Sequence, residues 1–136
     1  MNLSLADFVC RREDVRGGDI PSRAGVFVAR VEDRLSSQLD HKSYEYLLRY
    51  SLCARLAQAL AEWMQEVAMQ ASGLKVIRPA FGYPVCPDHS LKRVALDLLD
   101  AENVLGVHLT ETDALVPTTS VCGLLISHPS AKLFDI

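Results

Sequence analysis

Arg78, Tyr83 and His89 are the side chains best placed for chemistry, because the chain carries them on a stiffened loop. The stretch Ile77-Arg78-Pro79-Ala80-Phe81-Gly82-Tyr83-Pro84-Val85-Cys86-Pro87-Asp88-His89 holds three prolines and a glycine in thirteen residues. That composition excludes a regular helix or a central strand. Pro84 pushes Tyr83 towards extended dihedrals, and Gly82 can take conformations that no other residue takes cheaply. A rigid loop with an arginine and aromatics is a common place for ligand contacts. The competing reading from composition is a connector between two helices with Arg78 solvated.

Other pairings offer less. Asp88-His89 has the residue types of an acid–base pair, but neighbours at a helix start more often cap it. Glu111 and Asp113 lie two apart on an expected strand and share a face, which reads as a solvated face rather than a carboxylate dyad. Ser127-His128 would point to opposite sides of a strand, so no nucleophile–base geometry follows. The four cysteines (Cys10, Cys53, Cys86, Cys122) are scattered without a C-x-x-C pair, as are the four histidines. They read as buried thiols in a reducing cytoplasm, not as a disulfide framework or a zinc site.

The elements that must position the loop follow from pattern. At 136 residues the chain makes one domain, residues 1–136, and 49% hydrophobic with 23% charged residues is ordinary for a globular protein. A net charge of −3 gives no electrostatic case for nucleic acid, and no apolar run would span a bilayer. Leu3 to Val9 is expected as an edge strand and Arg11 to Ser22 as a loop. Ala24 to Val31 is the clearest strand, apolar enough to suggest that both its faces are covered. A helical pattern runs from about Glu32 to Ala71 with an expected break near Asp40-His41. Its stripe (Tyr44, Leu47, Leu48, Leu52, Leu56, Leu60, Trp63, Met64, Val67) is expected to be core, and Gly73 its C-cap. After the loop, Asp88 is expected to cap an amphipathic helix carrying Leu91, Val94, Ala95, Leu98 and Leu99 and ending near Asn103 or Gly106. Strands over Val107 to Val116 and Ser120 to Ser127 are expected to pair as an antiparallel hairpin, with a last edge strand over Lys132 to Ile136. The fold class is α+β: a mainly antiparallel sheet with a long amphipathic helix and a second, shorter helix packed on one face.

The motif Arg78-Pro79-Ala80-x-Gly82-Tyr83-Pro84-x-Cys86-Pro87-x-His89 resembles the signature loop of the activation domain of cobalamin-dependent methionine synthase. Leu109-Thr110-Glu111-Thr112 and Ser127-His128-Pro129-Ser130-Ala131-Lys132 resemble two later segments of that family, in the same order. Ser4-Leu5-Ala6-Asp7-Phe8-Val9 and Arg55-Leu56-Ala57 add weaker matches upstream. The similarity covers the C-terminal half of the family's domain. It implies S-adenosylmethionine as ligand, and cobalamin contacted through a partner domain or chain. On that resemblance Arg78, Ala80, Gly82 and Tyr83 are the cofactor-binding residues, and Arg78 would grip a carboxylate with its planar fork. No residue is assigned a catalytic or metal-binding role.

The chain departs from the family at three places. Its upstream half, with an acidic residue for the ligand's amino group, is absent. Gln58 stands where the family has a Glu, and Leu133 with Phe134 where it has a Tyr. Each lost charged hydrogen bond is worth roughly 1.5–3 kcal/mol, so tight binding by this chain alone is not expected. The resemblance therefore implies an accessory module for reductive remethylation of cobalamin, working with a partner chain and incomplete as an enzyme. Such a split predicts an exposed apolar surface where the absent half would sit. The alternative is a binding or interaction module that kept the scaffold and lost the methyl donor. An independent methyltransferase is disfavoured, since no Gly-rich dinucleotide-type loop occurs. A homo-oligomer is left open.

Overall fold

Ser43 and Gly73 set the ends of the longest element. In the computed structural model, which describes residues 5–9, 23–34 and 38–129, the Ser43 hydroxyl accepts from the Tyr46 N–H at 3.1 Å. Helix α1 then runs Tyr44–Ser72, and Gly73 closes it at φ 66° with its N–H on the Met69 carbonyl at 2.9 Å. A side-chain acceptor at the start and a left-handed glycine at the end satisfy backbone groups that the helix cannot pair itself. The helix does not begin at Glu32 as the pattern suggests. Asp40 takes the Lys42 N–H on its carboxylate and the Ser43 N–H on its carbonyl, a turn that competes with helix.

Strand β1 spans Arg23–Arg30 and pairs antiparallel along its whole length with β5, Ser120–Ser127. A two-residue strand β2, Val76–Ile77, takes the other edge of β5, so the sheet order is β1-β5-β2. After the loop come α2, Leu91–Leu98, and α3, Ala101–Leu105, separated by Asp100 in the left-handed region and ended by Gly106. The expected single helix is thus two short ones.

The expected strand over 107–116 is itself a small hairpin of β3, His108–Leu109, and β4, Leu115–Val116. Its turn is held by Thr110, whose N–H and carbonyl bond Ala114 and Asp113, while its hydroxyl accepts from the Ala114 N–H. The partners of β5 are consequently β1 and β2, not the segment immediately before it. Leu5–Phe8, expected within an edge strand, is a 3-10 turn that buries Phe8. The expected loop over 11–22 and strand over 132–136 lie outside the described residues.

Helices cover both faces of the sheet, which corrects the one-faced layer expected from sequence. Alternation along the strands sends Val28 and Cys122 to the side of Leu96, Ala101 and Val107, with Val26 and Leu124 packed against the same cluster. Phe27 and Ala29 point the other way and are buried, on the side where α1 contributes Cys53, Ala57 and Ala61. The apolarity of β1 demanded this arrangement.

The buried face of α1 is not the leucine stripe. Leu52 is 58% and Trp63 59% exposed, and Leu47, Leu48, Leu56, Leu60 and Val67 are exposed too, whereas Ala61 is fully buried. Small residues at a four-residue step let the helix lie close on the sheet and turn the large ones outward. Enlarging a residue there should therefore matter more than removing a large one outside. Ala61→Leu is expected to lower stability by about 1–3 kcal/mol through overpacking, and Leu52→Ser to change it by less than about 0.5 kcal/mol. Urea midpoints of the two variants check this; equal losses would put the stripe back in the core.

Candidate functional site

The proline-rich loop is tied to the centre of the sheet. Ala80 makes an isolated bridge to Gly123 of β5, and the Leu124 N–H donates to the Pro79 carbonyl at 3.0 Å. Further on, the Gly82 N–H bonds the Cys86 carbonyl and the Cys86 N–H the Tyr83 carbonyl, both at 2.8 Å. Gly82 sits at φ 87°, and a Cβ there would run into the His89 ring. Both the backbone angle and the close imidazole require glycine.

His89 in turn meets Lys92, with Nδ1 2.9 Å from Nζ, and Lys92 also donates to the Asp113 carbonyl at 3.0 Å. Asp88 does not cap α2 directly. Its Oδ1 accepts from the Ser90 hydroxyl at 2.6 Å and the Ser90 N–H at 2.8 Å, a turn that leads into the helix. Those bonds, the hydroxyl's first, hold the Asp88 carboxyl below its ordinary pKa.

Above the loop lies a cavity of about 520 Å³, within the range of small-ligand sites. Of the residues expected to bind, Arg78, Ala80 and Tyr83 line it together, and Gln58 of α1 joins them. Gly82 does not line it; it serves the loop's fold beneath. Lys92, Ser120 and Cys122 also line it. Sequence reading missed these three because β5 and α2 are brought to the loop only by the fold.

Arg78 is half-buried, its guanidinium carbon 6.0 Å above the Phe27 ring centroid. Its Nε is buried and, among the described residues, has no hydrogen-bond partner; the same holds for the Ser120 hydroxyl. Buried polar groups are seldom left so, which marks both as groups awaiting an acceptor or a water. Burial pushes the Cys122 thiol up to about 11, against the pull of the Lys92 charge. It is therefore a neutral thiol at physiological pH and a poor nucleophile.

The remaining candidates fall to structural roles. Asp113 ion-pairs with Arg93 at 2.8 Å in the β3–β4 turn, and Glu111 is exposed in that turn, so the two share no strand face. The Ser127 hydroxyl donates to the Arg23 carbonyl at 3.1 Å and is no nucleophile. Cys53, Cys86 and Cys122 are free and buried, as expected. Among the described residues no group of three His, Cys, Asp or Glu is placed to hold a metal ion. Nor is any described helix long and apolar enough to cross a membrane.

Over residues 1–136 the sequence matches the family of the vitamin B12 dependent methionine synthase activation domain. The chain belongs to that family. The crystal structure of the MetH reactivation domain bound to AdoHcy is similar at 32% identity with a TM-score of 0.62. The match covers 74% of this chain and 35% of that one, so the chain spans about a third of that domain's length. An activation-domain scaffold thus underlies the cavity, with the loop as its floor.

The geometry makes Gly82 a test of how the loop is held. Gly82→Ala is expected to destabilise the protein by about 1–3 kcal/mol, since both the left-handed backbone and the His89 ring oppose a methyl group. A second change, His89→Ala, removes the ring and should restore part of that loss. Thermal melts of the single and double variants check it; purely additive losses would show that the ring is not the obstacle.

Proposed function

We propose that this chain is a reactivation module for cobalamin-dependent methionine synthase. In this reading it supports reductive remethylation of cobalamin with S-adenosylmethionine and is completed by a partner chain. The observation that carries the reading is the half-buried Arg78, whose Nε has no hydrogen-bond partner among the described residues, lining a ligand-sized cavity on the family's loop.

The residues present fit part of the ligand. Arg78 offers a planar fork to the methionine carboxylate, in a setting where a charge-assisted bond is strong. Ala80 lines the cavity, and its minimal side chain would let the ligand approach the backbone closely. Tyr83, 65% exposed at the rim, offers a face to the adenosine or to an approaching corrin. When bound there, S-adenosylmethionine would supply the methyl group, leaving AdoHcy, to an already reduced cobalamin presented by a neighbouring domain. Cys122, kept protonated, does not compete for that methyl group.

The fit ends at the positive end of the ligand. The cavity lining includes no Asp or Glu among the described residues. The AdoHcy-bound domain is nearly three times as long as the region matched here, and a chain carrying the rest of that fold would supply what is missing. The exposed stripe on α1, from Leu48 through Leu52, Leu56, Leu60 and Trp63 to Val67, gives such a chain an apolar face to cover. The compartment that this reading implies is the cytoplasm.

Calorimetric titration with S-adenosylmethionine tests the ligand. Weak binding is expected, and Arg78→Ala should reduce it by about tenfold or more, the worth of one charged hydrogen bond. Binding untouched by that substitution would remove Arg78 from the site. The absence of any binding, with or without a completing chain, would favour the interaction module that has lost the methyl donor.

The partner face has its own measurement. A photo-crosslinker placed at position 56 should attach to the part of the MetH reactivation domain that this chain does not span, supplied as a separate polypeptide. Attachment equal to that from a crosslinker on an exposed residue of the β3–β4 turn, such as position 111, would sink the assignment.

A further inference from the structure

We infer that this chain pairs with a second copy of itself through the exposed stripe of α1, the two helices lying antiparallel about a two-fold axis near Gln58. The inference goes beyond the reading above and does not depend on it, since a chain that stayed monomeric would leave the ligand site as it is. The face is the one offered to a completing chain, so the second copy and that chain exclude each other.

The spacing of the stripe is self-complementary. Leu48 and Val67 lie equally far from a midpoint between Ala57 and Gln58, as do Leu52 and Trp63, and Leu56 and Leu60 flank Gln58 itself. All six are exposed, and each follows the last at a three- or four-residue step along one side of a continuous 29-residue helix. A second α1 laid antiparallel over that side sets Leu48 near Val67 and Leu52 near Trp63 at both ends at once. The same patch then serves both copies, as a closed two-fold contact requires.

The charges beside the stripe follow the same symmetry. Along α1 the basic residues, Arg49 and Arg55, lie in the first half, and Glu62 and Glu66 in the second; Glu45, the exception, is paired with Arg49 at 3.0 Å. Among the described residues Arg55, Glu62 and Glu66 have no ion pair within the chain. Arg55 and Glu62 are seven residues apart, on the same flank of the stripe, and equally far from a point between Gln58 and Ala59. The antiparallel pair therefore sets each Arg55 beside Glu62 of the second copy, whereas a parallel pair would oppose Arg55 to Arg55 and Glu62 to Glu62. From Leu48 to Val67 the helix rises about 28 Å. One helix face of that length is at the small end of specific interfaces, so the pairing is reversible and yields to a chain that covers more.

The test is sedimentation equilibrium of the full chain over a range of concentrations, under reducing conditions and at low salt. The wild type is expected to pass from monomer to dimer in the micromolar range. Leu56→Asp should weaken the dimer by about a hundredfold or more, since each copy would bury a carboxylate at the contact. Arg55→Glu and Glu62→Arg change only exposed positions and keep good helix formers, so both variants should fold. Each alone should weaken the dimer by about tenfold, because the altered pair occurs twice, and the double variant should recover most of that loss. High salt should shrink these charge effects and spare that of Leu56→Asp. A wild type that stays monomeric to millimolar concentration overturns the inference, as does a dimer indifferent to Leu56→Asp. Losses that simply add in the double variant overturn the antiparallel arrangement.

Discussion

The missing side chain of Gly123 is the constraint on which the site depends. A Cβ at that position would stand 2.9 Å from the Pro79 carbonyl oxygen and 2.9 Å from the Phe27 ring. Backbone on one side and a buried aromatic on the other leave no direction in which to yield. Only a bare backbone here lets the loop dock on β5 while Phe27 fills the layer beneath. Phe27 is the ring under the Arg78 guanidinium, so the same vacancy fixes the height of the arginine. Pro79 shapes the edge as well. It has no N–H to extend the β2 ladder, yet its carbonyl still accepts from Leu124, so pairing ends and the chain leaves the sheet bound at one point. The loop is thereby both anchored and released within three residues.

Much of this architecture is written locally in the sequence. Prolines and a glycine marked the loop, Gly73 the end of α1, and the β-branched run the strand β1. These are short-range effects of dihedral preference and orphaned backbone groups, and they need no knowledge of neighbours. The same holds for Arg78, Ala80 and Tyr83, which share the cavity because they share the loop. Lys92, Ser120 and Cys122 were illegible for the opposite reason. Nothing in an ordinary helix residue announces that it will face the loop just before it, nor in a strand serine that tertiary pairing will turn it towards a loop thirty or forty positions away. Gly82 lies between these cases. Its need for positive φ was legible, but the His89 ring packed against it was not.

Helix α1 shows why periodicity alone chose the wrong face. Cys53, Ala57 and Ala61 recur at the same four-residue step as Leu48, Leu52 and Leu56, so the helix carries two apolar stripes. Hydrophobicity ranks the leucine stripe first, yet proximity to the sheet is decided by size. Close packing on a surface that includes Phe27 and Ala29 leaves room for methyl groups, not for isobutyl ones. The leucines and Trp63 are left for a second layer. The helix thus carries a buried stripe of small residues, an exposed stripe of large apolar ones, and polar positions such as Glu45, Glu62 and Glu66 beside them. The outer side of α2 repeats the pattern, with Ala95 and Leu96 buried and Leu91, Val94 and Leu98 exposed.

The charge balance of the cavity follows from equally local causes. Asp88 sits two residues before Ser90, and the turn before α2 claims its carboxylate. Asp113 lies in a tight hairpin turn within reach of Arg93, so its charge is answered across the gap between hairpin and helix. Among the described residues the cavity lining thus holds the cations Arg78 and Lys92 and no carboxylate. Arg78 gains some compensation from the Phe27 ring, an attraction of about 0.5–1 kcal/mol at exposed sites and more when desolvated. That is less than a buried charged donor forgoes without an acceptor, which is roughly 1–3 kcal/mol. Among the described residues nothing removes that deficit: Pro79 and Gly123 hold the backbone of the loop, and the guanidinium is carried along. On the proposed reading a carboxylate-bearing ligand relieves it, by reaching the Arg78 Nε that has no acceptor among the described residues.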